Sequence, residues 1–410
     1  MEPTTTATYT VGIDWASDHH DVCVLDQTGR IRTEFRVAHS AAGLAELLTR
    51  LGRLGPPETI ALGLERPSGL LVDTLLDAGY RVVPIHPNAL KASRPRYRAA
   101  PSKSDAGDAY IAADLLRTDG HRFPALHAPS DATRALRAVL RTRDDLVATR
   151  VQLTNQLSSV LETFWPGPIT LFCALDSPIS LAFLTAYPTP ARAARLGVQR
   201  LGQFLRRHSY AGRRPAAELM ARLDAAPVGH AGAVETATKG QLVLALVTVL
   251  RAVTTELRAL EALVAAQLAT HPDGALLQSF PRSGTVNAAQ ILAELGDDRR
   301  RYPSPEHLAA EAGVAPVTHA SGRQRSVSCR FACNKRLRCA LTLWADNSRH
   351  ANPWAAAVYA RARARGCTHP HAIRILARAW VHVLWRCWTD HAPYDITKHA
   401  AAHVLLAPAA

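Results

Sequence analysis

The sequence is short of the features that mark exported or membrane-bound proteins. It has only seven cysteines in 410 residues, and their odd number and scattered spacing are not those of a disulfide framework. The N-terminal residues 1–10 are polar and lack the apolar core of a signal peptide. No apolar run is long enough to cross a bilayer. We therefore expect a cytoplasmic protein with no membrane partner.

Acidic residues are also scarce relative to basic ones. There are 34 Asp and Glu against 48 Lys and Arg, which gives a formal net charge of +14. Arg outnumbers Lys, and the guanidinium fork pairs well with phosphate. A GC-rich genome would explain the preference for Arg but not the excess of base over acid. The balance indicates a polyanionic partner, in a chain long enough for two or three domains.

The N-terminal part of the chain predicts a mixed α/β domain. An opening β-meander of three strands is followed by alternating helix and strand patterns, which is the element order of an RNase H-like nuclease domain. The predicted strands span residues 9–14, 21–26, 31–37, 59–65 and 81–85, and the predicted helices span 41–53 and 70–78 and begin again at 104.

Four acidic residues fall at the ends of these elements. Asp14 ends the first strand, Glu65 ends the fourth, and Asp105 and Asp108 lie one turn apart at a helix start. Singly, each has an ordinary explanation, such as a helix cap or a solvated strand end. Gathered at one sheet edge, four carboxylates would repel one another unless divalent cations neutralised them. Such ions clamp the attacking and leaving oxygens of a phosphodiester, so the pattern predicts a Mg²⁺ site.

A basic loop is predicted between Glu65 and the second pair of acids, with Tyr97 inside it. Cations next to one aromatic ring suit a nucleic-acid backbone and one stacked base. A solvated charged loop is an equally good explanation of the same residues. The basic residues of the loop are Lys91, Arg94, Arg96, Arg98 and Lys103.

The middle of the chain predicts long helices. Apolar residues follow a 4-3-4-3 heptad spacing over residues 139–164, with two polar breaks, and again over 246–264. The two helices could pair as an antiparallel hairpin, across subunits, or in an intramolecular bundle. The segment 166–240 between them is predicted to be helical and is rich in Arg.

A third region combines a candidate phosphate-binding turn with many cations. Residues 276–286 resemble a helix-hairpin-helix turn, which offers backbone N–H groups to phosphate. Cys329 and Cys333 are spaced as on a helix face, with no second pair, so we reject a zinc site. Ser321-Gly322 alone is an ordinary turn in a loop, and the aromatic segment 354–390 is predicted to be core. The cations of this region are Arg323, Arg325, Arg330, Lys335, Arg336 and Arg338.

Taken in order, these motifs resemble the insertion-sequence one-ten family of DEDD transposases, the bridge-RNA-guided recombinases. All the blocks together are specific and cover nearly the whole chain. Departures from the family pattern stand at Phe331, at Cys333, and at Arg282, where the family's turn often has Gly. The matching blocks are Gly12-Ile13-Asp14, Glu65 after an apolar strand, the run Lys103 to Ala109, the run Ala312 to Pro316 leading to Ser321-Gly322, then Asn334 and Leu337-Arg338.

The resemblance implies a RuvC-like N-terminal domain, a long helical coiled-coil arm that dimerises, and a mainly α C-terminal transposase domain. It implies that a metal-binding quartet binds Mg²⁺ and that Ser321 is a nucleophile that links covalently to DNA. The quartet is Asp14, Glu65, Asp105 and Asp108. The expected domains are residues 1–125, 126–270 with the helical insert 166–240, and 271–395, followed by a tail at 396–410.

The partners implied by the resemblance are donor and target DNA, a bridge RNA, and further copies in a homodimer or homotetramer associated with the bacterial nucleoid. Two other functions remain open from the residues. One is a RuvC-type junction-resolving endonuclease without a covalent intermediate, and the other is a non-catalytic nucleic-acid-binding scaffold. No dedicated base is apparent near Ser321, and His319 is expected to point elsewhere.

Overall fold

The chain folds into two compact units. We describe them from a computed structural model, and each unit has its own hydrophobic core. No helix in the described ranges has the length and apolar character needed to cross a membrane. The domain boundaries predicted from the sequence stay predictions. The structure describes residues 7–97, 104–229, 231–322 and 324–399. The first unit holds the residues up to Ser130 with Asp297–Arg301, and the second holds Asp131–Gly296 and the residues from Tyr302 onward.

A five-stranded mixed sheet forms the centre of the first unit. Its strands are β1 (Tyr9–Trp15), β2 (His19–Asp26), β3 (Ile31–Ala38), β4 (Ile60–Leu64) and β5 (Arg81–Pro84). They lie in the order β3-β2-β1-β4-β5. The first three pair antiparallel as a meander, and β4 is parallel to both β1 and β5. This arrangement confirms the predicted mixed α/β class of the N-terminal region.

Among the described residues, four helices accompany this sheet. Ser40 and Ser104 cap the first and last of them, because each side-chain oxygen accepts a hydrogen bond from a backbone N–H in the first turn. The predicted helices near 41–53, 70–78 and from 104 onward are confirmed. The four helices are α1 (Ala41–Gly52), α2 (Leu70–Asp77), α3 (Pro87–Tyr97) and α4 (Asp105–Asp119).

The prediction of a basic loop is wrong for residues 91–97, which belong to α3. Pro87 suits the first turn of a helix, where its missing N–H would be unbonded in any case. Leu90 then anchors the helix, because it is buried in a cluster with apolar residues of α4. Arg98 and Lys103, the other members of the predicted loop, lie outside the described residues.

Two glycines allow α4 to lie close against the sheet. A Cβ atom on Gly12 of β1 would overlap the carbonyl oxygen of Ala109. A Cβ atom on Gly63 of β4 would lie 3.1 Å from the carbonyl oxygen of Ala112. Both glycines therefore face α4, and their lack of a side chain sets how closely the backbone of the helix approaches the strands.

Two long helices, α5 (Asp131–Glu162) and a later helix at Ala233–Thr270, pack along each other in the second unit. Leu140 shares a buried cluster with Val264, and Leu157 shares another with Val247. The helices are therefore antiparallel. Among the alternatives that the heptad spacing left open, the structure shows pairing within one chain.

The predicted heptad seam is only partly buried in α5. Leu157 is buried, but the polar breaks at Arg143 and Arg150 keep the middle of the helix partly open to solvent. The Arg143 guanidinium lies 2.8 Å from the carboxylate of Glu261, and that of Arg150 lies 3.4 Å from Asp176. These ion pairs take the place of apolar contacts along this stretch.

The segment between the two long helices is helical, as predicted, and has an aromatic core of its own. Phe172 and Phe204 both pack edge-on against Phe183, with ring centroids 5.9 and 5.8 Å away. Its helices are α6 (Gly167–Leu171), α7 (Pro178–Ala186), α8 (Pro190–Ala193), α9 (Val198–Arg207) and α10 (Ala216–Asp224), and the long helix that follows is α11 (Ala233–Thr270).

The remainder of the second unit packs around tryptophans. Trp344, Trp380 and Trp388 are fully buried, which confirms the aromatic segment as core. The half-buried Trp385 donates a hydrogen bond from its indole to the carbonyl of Tyr302. The helices here are α12 (Gly274–Gln278), α13 (Thr285–Leu295), α14 (Pro305–Glu311), α15 (Lys335–Ser348), α16 (Pro353–Ala364) and α17 (His369–Thr389), and short 3-10 turns lie at Pro57–Thr59, Gly120–Arg122 and Arg299–Arg301.

The region around Ser321 was predicted as a loop, and this prediction is wrong. Residues there form a two-stranded antiparallel hairpin of β6 (Pro316–Ser321) and β7 (Gln324–Cys329). Most of its residues are exposed on both faces, so the strands carry none of the apolar alternation by which a sequence reveals a strand. The tight turn is allowed by Gly322, which has a φ of +54°.

Candidate functional site

The parallel pairing of β1 with β4 brings Asp14 and Glu65 to neighbouring positions. Ile13 pairs with Leu64, and each acid is the next residue in its chain segment. Side chains alternate along a strand, and the residues two positions earlier, Gly12 and Gly63, face α4. Asp14 and Glu65 therefore face the same helix, whose first turn contains Asp105 and Asp108.

One guanidinium pairs with one of the four predicted acids and interacts electrostatically with two more. Arg94 of α3 donates two hydrogen bonds to Asp108, from Nε to Oδ1 at 3.0 Å and from Nη2 to Oδ2 at 2.8 Å. The pKa of Arg94 is raised, first by these hydrogen bonds and then by the charges of Asp108, Glu65 and Asp14. Asp108 is buried, with 8% of its surface exposed, and Arg94 is its ion-pair partner.

The fourth predicted acid, Asp105, lies in a second group with two residues of β2. One ligand atom each from His19, Asp21 and Asp105 lie within 4.8 Å of one another, and no other trio of His, Cys, Asp or Glu among the described residues meets this condition. Arg36 of β3 donates to Asp21 from Nε at 3.1 Å and from Nη2 at 2.9 Å. The pKa of Arg36 is raised by the hydrogen bond with Asp21 and by the charges of Asp21 and Asp105.

Asp21 and His19 were missed by sequence reasoning. Asp21 pairs directly with Asp14 across the antiparallel β1–β2 ladder, so their side chains lie on the same face of the sheet. The sequence did contain a signal for Asp21, because the short turn after β1 fixes a hairpin register in which Asp21 lies opposite Asp14. The α4 face of the sheet thus presents two acidic groups, each paired with an arginine. We call it the acidic face, made of Asp14, Asp21, Glu65, Asp105 and Asp108.

The opposite face of the same sheet end has a histidine pair. Nε2 of His20 lies 2.9 Å from Nδ1 of His39, and the Arg66 guanidinium lies 3.9 Å from the centre of the Trp15 ring. The pKa of His20 is lowered to about 4, first by burial and then by the charges of His39 and His19. His20 is therefore neutral at pH 7.

Ser321 ends β6 at the tip of the second unit's hairpin. Its side chain is exposed and lines an open concavity of about 740 Å³ together with His319, Gln324 and Arg325. Nε2 of His319 lies 3.1 Å from Oγ of Ser328, which confirms that the ring is directed away from Ser321. No side chain in the described part of the chain hydrogen-bonds to the Ser321 hydroxyl.

The predicted nucleic-acid-binding cations differ in accessibility. Arg94 is held by Asp108, and Arg338 donates a weak hydrogen bond to the carbonyl of Arg330 at 3.5 Å. Arg323 lies outside the described residues, and Arg330 and Arg338 are half-buried. The exposed members are Lys91, Arg96, Arg325, Lys335 and Arg336.

The aromatic ring predicted to stack on a base is engaged elsewhere, and that interpretation of Tyr97 is wrong. Its hydroxyl donates a hydrogen bond to Asp114 at 2.8 Å, and its ring packs edge-on against Tyr110. Burial and the hydrogen bond with Asp114 raise its pKa. Tyr97 fastens α3 to α4, and so helps to hold Arg94 beside Asp108.

Transposase family models match this chain in two stretches. A transposase family model of the IS110 DEDD type matches residues 11–166, and a model described as the IS116/IS110/IS902 transposase family matches residues 274–360. The first match includes the whole acidic face, and the second includes the hairpin with Ser321.

Individual relatives match along nearly the whole chain. The mini-circle protein for IS117 of Streptomyces coelicolor is 36% identical over 406 residues, which is 97% of this chain and 98% of the relative. A protein of insertion element IS900 from Mycobacterium paratuberculosis is 29% identical over 94% of this chain and 96% of its own length. A protein of insertion element IS110 from Streptomyces coelicolor is 29% identical over 94% and 95%. The chain therefore belongs to the IS110 family of transposases.

Proposed function

We propose that this protein is a metal-dependent DNA recombinase that cuts and rejoins DNA strands through the Ser321 hydroxyl. The single observation that carries the proposal is the convergence of Asp14, Glu65 and Asp108, from two strands and a helix, around one cationic group. The family membership and the hairpin with its exposed serine support the same conclusion.

The acidic face fits a divalent cation. It offers hard carboxylate oxygens, which Mg²⁺ prefers, and the Arg94 guanidinium shows that the carboxylates already hold one positive charge among them. The residues proposed to hold the metal are Asp14, Glu65, Asp105 and Asp108. The ligand atoms that already lie within 4.8 Å of one another are those of Asp105, Asp21 and His19. A bound Mg²⁺ would supply charge stabilisation at the phosphodiester. Asp21 lies beside Asp14 and extends the same set of donors.

Ser321 is placed for attack on a large substrate rather than a small one. Its hydroxyl lies at an exposed hairpin tip next to Arg325, whose guanidinium suits a phosphate. In the proposed step, a bond forms from Oγ to phosphorus while the bond from phosphorus to the leaving oxygen breaks. The hydroxyl loses its proton and the leaving oxygen gains one. The phosphodiester energy is conserved in the phosphoserine, so reversal of the step rejoins strands without ATP.

The proposals for fold, guide RNA, assembly and substrates follow the resemblance to the family. The strand order with α4 on one face supports an RNase H-like, RuvC-like domain, and the antiparallel pair α5 and α11 supports an arm of coiled-coil type. By resemblance, sequence choice rests on a bridge RNA, with the exposed cations holding nucleic-acid backbones. A homodimer or homotetramer is the proposed assembly, and donor and target DNA are the proposed substrates.

A second candidate function is hydrolysis by a junction-resolving endonuclease. One observation favours it: every residue of the acidic face belongs to the first unit, so this unit contains a complete set of carboxylates by itself. The two functions differ in their product. Hydrolysis leaves free DNA ends, whereas the serine pathway leaves DNA attached to protein.

A denaturing gel with end-labelled DNA and Mg²⁺ separates these functions. We expect a protein-linked DNA band from the parent protein, and none from Ser321→Ala. Ser326→Ala is the matched control, because Ser326 is an exposed hydroxyl in the same concavity and should leave the band unchanged. Nicked DNA without a linked band would establish the endonuclease. A linked band that persists in Ser321→Ala would eliminate the serine from the mechanism.

A further inference from the structure

A groove at the base of the hairpin has no assigned role. It lies between the β6–β7 hairpin and α17, in the second unit, and has a volume of about 480 Å³. Its apolar walls include Val314, Pro316, Val327 and Ile375, and the surface of the lining is mostly apolar. The volume falls within the range of roughly 300–1,000 Å³ that is typical of pockets for small organic groups.

One side of this groove is basic. His371, Arg374 and Arg378 lie at spacings of three and four along α17, so they share one face of the helix with Ile375. Arg374 makes no hydrogen bond or ion pair with any described residue, and Arg378 interacts electrostatically with Glu306 outside the groove. None of the described residues that line the groove is acidic. The groove therefore offers an apolar slot beside two guanidinium groups.

We propose that this groove binds one unstacked nucleotide of the DNA strand that Ser321 attacks. An apolar slot accepts the flat face of a base, and the guanidinium groups of Arg374 and Arg378 pair with the adjacent phosphate. The base edge can hydrogen-bond to polar groups of the lining such as Ser328 and His371. The inference rests on the proposed function, because that function identifies which strand is near the hairpin.

The geometry of the hairpin favours DNA as the occupant. The groove and Ser321 lie at opposite ends of β6, five residues apart, which is about 17 Å at roughly 3.4 Å per residue. Nucleic acid that extends from the serine along β6 therefore reaches the groove wall. Withdrawing one base from the stack at about 17 Å from the hydroxyl would fix the register of the strand relative to it.

Photocrosslinking of the full-length protein tests this inference. The probe is single-stranded DNA that carries iododeoxyuridine, with a matched RNA that carries iodouridine as the second arm, and crosslinked peptides are identified by mass spectrometry. We expect DNA crosslinks at residues 327–329 or 371–378. We expect Ile375→Trp, which fills the slot, to reduce their yield at least about tenfold, the loss that corresponds to roughly 1.4 kcal/mol.

Arg374→Gln provides a second variant that does not fill the slot. It should weaken DNA binding about tenfold and lower the slope of log affinity against log salt by about 0.7, as expected for one lost phosphate contact to a single strand. Arg361→Gln is the matched control, since Arg361 is an exposed arginine of α16 outside the groove. It should leave the crosslinking pattern unchanged. Thermal unfolding checks that each variant is folded.

Three results would overturn the inference: no crosslink in the groove, a crosslink unaffected by Ile375→Trp, or a groove crosslink with the RNA probe only. The covalent-adduct gel separates this failure from failure of the proposed function. Adduct formation by the parent protein without a groove crosslink rejects the groove alone. A groove crosslink in a protein that forms no adduct rejects the serine pathway instead.

Discussion

The acidic face of the first unit and the serine hairpin of the second unit are built in opposite ways. Carboxylates of the acidic face are brought together by strand register and helix packing, and Asp108 and Asp21 are buried and paired with arginines. Ser321 is exposed at a hairpin tip, and no described side chain hydrogen-bonds to it. The acids are therefore organised by the fold itself, whereas the hydroxyl must be organised by what binds to it.

The largest expected effect tests whether both regions serve one reaction. Asp14→Asn and Ser321→Ala should each lower DNA strand exchange by roughly 10³-fold or more, because each removes a group that is proposed to act on the reacting phosphodiester. Rates of product formation on labelled DNA provide the measurement. Glu46→Gln, an exposed acid of α1, is the control and should keep the parent rate. If Asp14→Asn retained full activity, the acidic face would have no part in the chemistry.

The next effect concerns stability and compares the buried ion pair of the acidic face with an exposed ion pair elsewhere. Arg94→Gln should lower the free energy of unfolding by roughly 2–3 kcal/mol, because it leaves the buried Asp108 carboxylate without its partner. Chemical denaturation measures the loss. Added Mn²⁺ should restore part of it if the carboxylates hold a metal.

Arg50→Gln is the matched control for this measurement. Arg50 pairs with Glu46 on an exposed helix surface, at 2.7 Å, and its guanidinium lies 4.6 Å from the centre of the Phe35 ring, so its loss should cost less than about 1 kcal/mol. Equal losses in the two variants would contradict the idea that the acidic face depends on its arginine. An Mn²⁺ effect in the control would show that the rescue is not specific to the acidic face.

A smaller effect belongs to the other face of the same sheet and depends on pH. The unfolded chain protonates His20 near pH 6.5, but the folded protein does so only near pH 4. Stability from this residue is therefore complete above about pH 6.5 and decreases as the pH falls toward 4. Between pH 7 and pH 5 the free energy of unfolding should drop by roughly 1–2 kcal/mol more in the parent protein than in His20→Gln. Parallel pH profiles would contradict the assignment.

The smallest effect lies in the turn between α12 and α13. Arg282 has a φ of +56°, a conformation that costs a residue with a side chain about 1 kcal/mol relative to glycine. Arg282→Gly should therefore change stability by less than about 1 kcal/mol, and in the stabilising direction, since the relief of strain is partly offset by the freer unfolded chain. Thermal unfolding measures the change. Arg361→Gly in α16 is the contrasting variant, and it should be destabilising.

The sequence predicted site residues best where an acidic residue stands in a position that ordinary surface residues rarely occupy. Asp14 and Glu65 were recognisable because each ends a run of apolar residues. The parallel register of β1 and β4 then brings the two acids to neighbouring positions. Asp21 was missed because it begins the predicted strand 21–26, where an acid looks like ordinary solvated surface, whereas β2 starts at His19. The role of Arg94 could not be foreseen, since its partner Asp108 is fourteen residues away and the charge pattern favoured a loop.

The hairpin could not be predicted for a different physical reason. Strands are recognised from sequence when one face is buried, and β6 and β7 bury almost none of their side chains. The long helices show the opposite case, in which the secondary structure was predictable but the packing partner was not. Their periodicity was clear, but whether the seam would be filled by the same chain or by another copy depends on contacts that periodicity does not contain.

The close approach of α4 at Gly12 has a consequence for how copies of this gene lose activity. A single added methyl group there would force the helix backbone outward and carry Asp105 and Asp108 with it. Every carboxylate and the serine would remain in the sequence, yet the set would no longer meet. An inspection of the proposed catalytic residues alone would count such a copy as intact, so a survey of functional elements should score this glycine together with the acids.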